Sequence, residues 1–159
     1  AIGYVQSGTV NKHDEVVILP AKETGVVRSL QVMDDDVDTA IAGDRVGVAL
    51  RNLREESLHR GCMIIHPESQ ALIRHDNSKI KIKTAPFQKR KLTNEDVIHA
   101  AVDLQFVVGR IKRVDGDSIS VEWENPLWIR AEGSPEILIT QLDAMPMRII
   151  GSVETIEQA

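Results

Sequence analysis

Residues 40–50 read Ala-Ile-Ala-Gly-Asp-Arg-Val-Gly-Val-Ala-Leu, and this stretch indicates the fold class. After Arg45 every residue to Leu50 is apolar, as in a strand buried in a β-domain. Gly43 permits a tight turn directly before that strand, because glycine adopts backbone conformations that other residues avoid. We expect Gly47, inside the strand, to allow the close approach of a neighbouring backbone. The stretch therefore predicts a turn that leads into a core strand.

Short β-branched runs bounded by turn residues dominate the sequence on both sides of this stretch. Helix-like pieces are brief and lie only near residues 54–58 and 94–96. Asp115-Gly116-Asp117 separates two of the runs and predicts a hairpin. Many short strands without long helices favour barrels or sandwiches, and we expect an all-β fold of two small β-barrels in tandem. The other predicted strands are 15–19, 25–33, 63–65, 79–83, 106–114, 118–123, 137–140 and 148–156.

A linker near Pro67 is the best boundary between the two barrels. The segment 66–70 is short, polar and contains proline, as linkers do. Two barrels also fit the length better than one sheet of a dozen strands. We expect the first barrel in residues 1–67 and the second in residues 71–159.

Composition limits the class of protein. The 159 residues carry a net charge of −5, which argues against a globally basic nucleic-acid binder. Cys62 is the only cysteine, which fits a reducing compartment, and we expect a cytoplasmic protein. No apolar stretch approaches the roughly 20 residues of a membrane span, and the first residues lack the features of a signal peptide. The chain does not begin with methionine, so we expect it to be part of a longer protein.

Charge is unevenly distributed in the second half. Residues 74–91 hold seven lysines and arginines against one acid, whereas residues 114–159 hold two arginines against nine acids. Lys79, Lys81 and Lys83 alternate with isoleucines, which places their ammonium groups on one strand face about 6.6 Å apart. Such spacing suits the phosphates of a nucleic-acid backbone. Lysines also protect exposed edge strands, so the sequence leaves both interpretations open.

Motifs that resemble catalytic or metal sites have simpler explanations. Asn11-Lys12-His13-Asp14 spells a guanine-reading string, but no phosphate loop exists in the chain, and we interpret it as a turn. His59, Cys62 and His66 lack a fourth zinc ligand. The aspartates at 34–36 and 38 lack the glycine and closing glutamate of a calcium loop, and we expect a hairpin tip there. We therefore expect no catalytic residue, metal or cofactor in this chain.

The first half resembles domain 2 of the translational GTPases of the elongation factor Tu class. The glycine-rich stretch 40–47 followed by Arg60-Gly61-Cys62 is the most specific part of the likeness. Within the class, the chain is most similar to the selenocysteine-specific elongation factor of the archaeal and eukaryotic type. Residues 137–143 and 147–151 resemble closing strands of that factor's domain 3. The segments that carry the likeness in the first half are 8–10, 14–20, 27–31, 40–47 and 60–62.

The resemblance implies a binding role for named residues. Arg45 matches the position that lines the aminoacyl pocket, where a guanidinium favours an anionic selenol over neutral serine. A surface ion pair of Arg45 with Asp44 or another neighbour is the simpler alternative. The same comparison places Met33 in the aminoacyl pocket, and Gln31 and Ala49 beside the terminal adenosine. It also implies RNA contacts by Arg60, near the 5′ phosphate of the acceptor stem, and by the basic block of Lys79, Lys81, Lys83, Lys89, Arg90 and Lys91.

The resemblance further implies partners that this chain does not contain. We expect aminoacyl-tRNA, the ribosome and the protein's own G domain as partners, with GTP and Mg²⁺ bound in that missing domain, and no membrane. The first strand of the domain 2 barrel looks truncated, because the usual residues before Gly3 are missing. The leading hypothesis is non-catalytic domains 2 and 3 that help deliver aminoacyl-tRNA, with selenocysteinyl-tRNA as a candidate cargo. The alternatives are a paralogue or initiation-factor-gamma-like pair of barrels without tRNA delivery, and an independent β-barrel interaction module.

Overall fold

Fourteen β-strands and one 3₁₀ turn, Glu55–Ser57, make up the regular structure of residues 1–133 and 136–159, the parts of the chain that the computed structural model describes. The prediction of an all-β fold is confirmed. Over the same ranges, no helix is long and apolar enough to cross a membrane. The chain separates into two units, Ala1–Ser69 and Gln70–Ala159, which are described in turn.

The first unit consists of a six-stranded and a two-stranded antiparallel sheet. The larger sheet has the order β1-β7-β4-β3-β8, and β5 pairs with the end of β4. The smaller sheet pairs β2 with β6. The strands are β1 (Ile2–Tyr4), β2 (Thr9–Asn11), β3 (Glu15–Leu19), β4 (Glu23–Val32), β5 (Asp35–Val37), β6 (Thr39–Ile41), β7 (Arg45–Arg51) and β8 (Met63–Ile65).

Both sheets of this unit cover one apolar core. The fully enclosed side chains include Ile18 of β3 with Val27 and Leu30 of β4. Ala40 of β6 belongs to the same cluster, and Val10 of β2 packs against it. Apolar packing between the sheets therefore closes this unit, since the hydrogen-bonded order of the larger sheet ends at β1 and β8.

The two glycines of the stretch 40–50, Gly43 and Gly47, have different structural roles. Gly43 has a φ of +97°, and a side chain there would meet nothing, so the predicted turn is confirmed. Gly47 is different: a Cβ on it would lie 3.7 Å from Gln31 Cβ, which is an ordinary contact. The expectation of a close backbone approach at Gly47 is wrong. In this unit the tight position is Gly25, where an added Cβ would lie 2.5 Å from the side-chain atom Leu53 Cδ2 and 3.3 Å from the carbonyl oxygen of Arg51.

The second unit is a closed six-stranded antiparallel barrel. Its strands follow the order β10-β11-β12-β9-β14-β13, and β13 pairs with β10 to complete the ring. They are β9 (Leu72–Thr84), β10 (Val97–Val102), β11 (Gln105–Asp115), β12 (Ser118–Arg130), β13 (Leu138–Thr140) and β14 (Ile149–Gln158). The predicted hairpin joins β11 to β12, with Asp115 opposite Ser118 and a φ of +60° at Gly116.

The interior of the barrel is mostly apolar and contains a hydrogen-bonded chain of buried polar groups. Ile80 and Ile82 of β9 point inward, as their alternation with the lysines predicts. Trp123 Nε1 donates a hydrogen bond of 2.9 Å to Ser78 Oγ, and that hydroxyl lies 3.2 Å from His75 Nδ1. All three side chains are buried. Burial lowers the pKa of His75 below its usual value of 6.5, so the ring is neutral inside the barrel at neutral pH.

Candidate functional site

Three of the four predicted pocket residues share one outer face of the first unit. Gln31 of β4 lies directly opposite Gly47 of β7. Arg45 and Ala49 lie two residues on either side of Gly47 and are exposed, and residues two apart on a strand point the same way. The structure therefore brings Gln31, Arg45 and Ala49 together on the surface formed by β1, β7, β4 and β5, which we call the β4–β7 face.

Exposed apolar side chains surround these residues. Tyr4 of β1 pairs with Arg45 and is 62% exposed, and Ile2 pairs with Gly47 and is 73% exposed. Met33, the fourth predicted pocket residue, is 92% exposed at the turn between β4 and β5. That turn is the hairpin tip expected from the aspartate cluster. The β4–β7 face thus offers one cation, one amide and the carboxylate of Asp36 among apolar groups, which suits a ligand with both polar and apolar parts.

Arg45 is available for a ligand. Among the described residues, Arg45 takes part in no ion pair, and its neighbour Asp44 accepts a 2.8 Å hydrogen bond from the backbone of Ile41. The alternative of a surface ion pair of Arg45 with Asp44 or another neighbour is therefore wrong for the described part of the chain. Gln31 already makes one hydrogen bond within the protein, since its Nε2 donates to Asp36 Oδ1 at 2.9 Å.

Arg60 lies in a turn before β8, outside the strands of the β4–β7 face. The backbone N–H of Cys62 donates to the carbonyl of His59, which closes the turn around it. Arg60 is exposed. Within residues 1–133 and 136–159, no group of three or more His, Cys, Asp or Glu side chains could hold a metal ion.

Lys79, Lys81 and Lys83 are all exposed on the outer face of β9. This strand pairs with β12 on one side and β14 on the other, so it is not an edge. The interpretation of these lysines as protection for an edge strand is wrong for the folded barrel. Lys81 Nζ lies 3.2 Å from Glu154 Oε2, which partly neutralises the middle of the row.

Lys89, Arg90 and Lys91 lie in the exposed loop that follows β9. Gln88 fixes the start of the loop, because its Nε2 donates to the carbonyls of Met147 and Ile149 at 2.9 Å each. Arg90 pairs with Asp143 at 3.2 Å. The loop therefore presents its cations from an anchored position at one end of the barrel.

The first unit is similar to a known protein family. Residues 1–65 match the family model of elongation factor Tu domain 2. They form an elongation factor Tu domain 2-like region. The resemblance drawn from the sequence is thereby confirmed for the first unit.

The whole chain is similar to larger elongation factors. It is 29% identical to the selenocysteine-specific elongation factor of Methanocaldococcus jannaschii over 98% of this chain and 38% of that protein. An uncharacterized protein of the same organism is 29% identical over 79% of this chain and 40% of that protein. The chain thus spans about 40% of the length of these curated relatives.

The fold is also similar to that of a solved elongation factor structure. The crystal structure of translation elongation factor SelB from Methanococcus maripaludis in its apo form matches with a TM-score of 0.76 and 27% identity, over 99% of this chain and 40% of that one. The two units therefore resemble the region of domains 2 and 3 in such factors. No G domain is present among the described residues, which the two β-units account for.

Sequence reasoning missed two groups of residues at these sites. Tyr4 stands beside Arg45 in the domain 2-like region, and only the β1–β7 register shows it. Arg113 and Ser120 lie beside Lys79 in the second unit, in the row Arg113–Ser120–Lys79 across three strands. The positive charge of Arg113 was visible in the sequence. Its outward position was not, because a bulge between Ile111 and Arg113 interrupts the alternation of β11.

Proposed function

We propose that this chain forms domains 2 and 3 of a translation elongation factor GTPase and helps bind aminoacyl-tRNA for delivery to the ribosome. The observation that carries the proposal is the joint placement of Gln31, Arg45 and Ala49 on the β4–β7 face of an elongation factor Tu domain 2-like region. GTP and Mg²⁺ would bind in a G domain of the longer protein, in the cytoplasm, and the barrels themselves would do no chemistry.

Selenocysteinyl-tRNA is the cargo that we propose. The selenol of selenocysteine is ionised at neutral pH, whereas the hydroxyl of serine is not. A guanidinium without an acidic partner, as at Arg45, favours the anion through a charge-assisted hydrogen bond. The similarity to selenocysteine-specific elongation factors supports the same cargo.

Met33 supports an aminoacyl pocket at this end of the face. Its φ is +51°, in the left-handed region that a side chain of this size rarely adopts, and it is 92% exposed. This conformation belongs to the β4–β5 hairpin turn, and Val32, the preceding residue, pairs with Val46, so Met33 lies at the end of the face where Arg45 stands. We therefore place Met33 beside Arg45 in the pocket, while Gln31 and Ala49 flank the terminal adenosine, whose base would stack on Tyr4.

The remaining predicted residues would hold the body of the tRNA. Arg60 would contact the 5′ phosphate of the acceptor stem, and Lys79, Lys81, Lys83, Lys89, Arg90 and Lys91 would contact the T stem. Their contribution is electrostatic, so it should be largest at low salt.

The test measures the affinity of the full-length protein, with a GTP analogue, for selenocysteinyl-tRNA and for seryl-tRNA. We expect Arg45→Ala to weaken selenocysteinyl-tRNA binding about tenfold or more and to affect seryl-tRNA much less, because one charge-assisted hydrogen bond is lost. Arg51→Ala is the matched control, since Arg51 is exposed at the far end of the same strand, about 20 Å away. Equal affinities of the unmodified protein for both tRNAs would remove the selenocysteine assignment. No binding of either tRNA would remove tRNA delivery altogether.

A further inference from the structure

A row of polar residues crosses the outer face of the second unit where β11, β12 and β9 run side by side. Ser120 of β12 lies opposite Arg113 of β11 on one side and opposite Lys79 of β9 on the other. Directly paired residues on antiparallel strands share a face, and their Cβ atoms lie about 5 Å apart. A single hydroxyl therefore stands between two cations whose strands are about 10 Å apart.

The row borders a shallow cavity of about 110 Å³. Five of its six lining residues are polar and lie in two neighbouring cross-strand rows. Lys79, Ser120 and Arg113 form the first row, and Ser118 and Asp115 belong to the second. This space is sufficient for one phosphate group with some water, because a water molecule takes about 30 Å³. The cavity is open to solvent, so the group can belong to a longer polymer.

Lys79 and Arg113 differ from the cations around them. Lys81 pairs with Glu154 at 3.2 Å, and Lys112 pairs with Glu122 at 2.7 Å. Within the described parts of the chain, neither Lys79 nor Arg113 has an ion pair. Lys79 faces Glu157 of β14 across the ladder, but no ion pair joins them. Two cations without an ion pair, Lys79 and Arg113, therefore converge on the cavity.

Asp115 is the acid that also lines this cavity. With Lys79 and Arg113 it leaves a charge of about +1 at the cavity, and Glu157, opposite Lys79 on β14, lowers the positive potential further. A singly charged phosphodiester therefore suits the site better than a doubly charged phosphate. A carboxylate accepts hydrogen bonds and donates none when ionised. Next to a bound backbone phosphate it would repel RNA and DNA alike, but only RNA has a 2′-hydroxyl whose hydrogen bond to the carboxylate offsets that repulsion.

We propose that Lys79, Ser120 and Arg113 hold one backbone phosphate of RNA and that Asp115 accepts a hydrogen bond from the neighbouring ribose. This inference rests on the proposed function and deepens it, since it names two residues and an RNA-selecting carboxylate outside the basic block. The phosphate oxygens receive hydrogen bonds from the guanidinium, the ammonium group and the serine hydroxyl. The site contacts only the phosphate backbone and the sugar, so its affinity for RNA is independent of base sequence.

The test uses the 159-residue chain with a short fluorescent RNA duplex and a DNA duplex of the same sequence, at low salt. We expect Arg113→Ala and Lys79→Ala each to weaken RNA binding about tenfold and to lower the slope of log affinity against log salt by about one. Lys112→Ala is the charge-matched control, because Lys112 adjoins Arg113 but is paired with Glu122. Asp115→Ala should bring the RNA and DNA affinities together. Unchanged tryptophan fluorescence of each variant shows that the barrel is folded.

Several outcomes would overturn the site. Equal losses for Lys112→Ala and Arg113→Ala would mean that total charge alone matters. Inorganic phosphate that shifts the amide signals of Ser120 and Arg113, without RNA binding, would mean a site for the free anion. The duplex carries no aminoacyl group, so this result does not depend on the Arg45 test. Full tRNA affinity of the longer protein with Arg113→Ala would remove the site and leave the proposed function standing.

Discussion

Gly151 controls how closely the last strand of the barrel approaches β9. A Cβ at this position would lie 2.2 Å from the carbonyl oxygen of Lys83 and 2.9 Å from Ile82 Cγ2. The first of these atoms belongs to the backbone of a strand that is paired on both sides, so it cannot move without disturbing the ring. Only glycine therefore fits where β14 enters the barrel.

Gly151→Ala should lower the free energy of unfolding of the second unit by about 3 kcal/mol, as expected for overpacking against a fixed backbone. Both tryptophans, Trp123 and Trp128, lie in this unit, so denaturant unfolding followed by tryptophan fluorescence reports on it alone. Ser152→Ala is the control at the next residue, where a half-buried side chain loses only its hydroxyl. A loss below about 0.5 kcal/mol for Gly151→Ala would show that β14 can shift to make room.

His75 should make the second unit sensitive to mild acid. Because burial lowers its pKa, the unfolded chain binds a proton below pH 6.5 more readily than the folded barrel does. Its contribution to stability is therefore complete above that pH and is lost as the pH falls, at up to about 1.4 kcal/mol per pH unit.

Urea unfolding between pH 7.5 and pH 5 checks this dependence. We expect His75→Gln to flatten the pH profile of the second unit, whatever its effect at pH 7.5. A profile for His75→Gln as steep as that of the unmodified chain would contradict the assignment.

Strands with clear alternation could be predicted from sequence, and strands held only by their neighbours could not. Ile80 and Ile82 show the period of a half-buried strand, and they lie inside β9 as predicted. β10 was missed because its Val-Ile-His-Ala-Ala-Val sequence contains weak strand formers, and ladders with β11 and β13 impose the strand. β12 runs to Arg130, beyond the predicted end at Trp123, because a register shift between Glu122 and Leu127 accommodates Pro126.

The β4–β5 hairpin has a turn sequence that does not suit its geometry. Met33 and Asp34 have φ values of +51° and +68°, as in the turns that Asn-Gly forms best. The double change Met33→Asn, Asp34→Gly should therefore stabilise the hairpin by about 1 kcal/mol. Amide hydrogen exchange at Val32 and Val37 measures the effect, with the exposed Met145→Asn as control. Faster exchange in the double variant would show that Met33 itself supports the hairpin.

At the scale of the whole molecule, each unit contains its own core. Every strand of the closed ring lies in residues 70–159, and its apolar cluster contains residues of that unit alone. We propose that the polar linker around Pro67 separates two independently folding domains.

Residues 70–159 expressed alone should unfold cooperatively, with the tryptophan emission of the full chain. A fragment of residues 70–148 is the control, because it lacks β14 and cannot complete the ring. An unfolded 70–159 fragment would show that the second unit needs the first. Equal stability of the two fragments would show that ring closure contributes nothing.

The candidate sites could be predicted only where one segment supplies the residues. The stretch 40–50 contains both Arg45 and Ala49, and the basic block contains all three lysines of β9. The row Arg113–Ser120–Lys79 contains one residue from each of three strands, and β9 lies far from β11 and β12 in the chain. No sequence motif therefore marks the row. Cross-strand register alone brings such residues together, and it depends on bulges that a sequence does not reveal.

The pairing of β9 with β14 joins the first strand of the barrel to its last. On the ribosome, β9 emerges well before its partner has been synthesised, so for that interval one side of the strand has no backbone to pair with. The alternating lysines then face solvent beside open N–H and C=O groups, where their mutual repulsion discourages two nascent chains from joining strand to strand. The same three lysines that would contact RNA in the folded protein would thus reduce aggregation of the nascent chain during the seconds before the barrel closes.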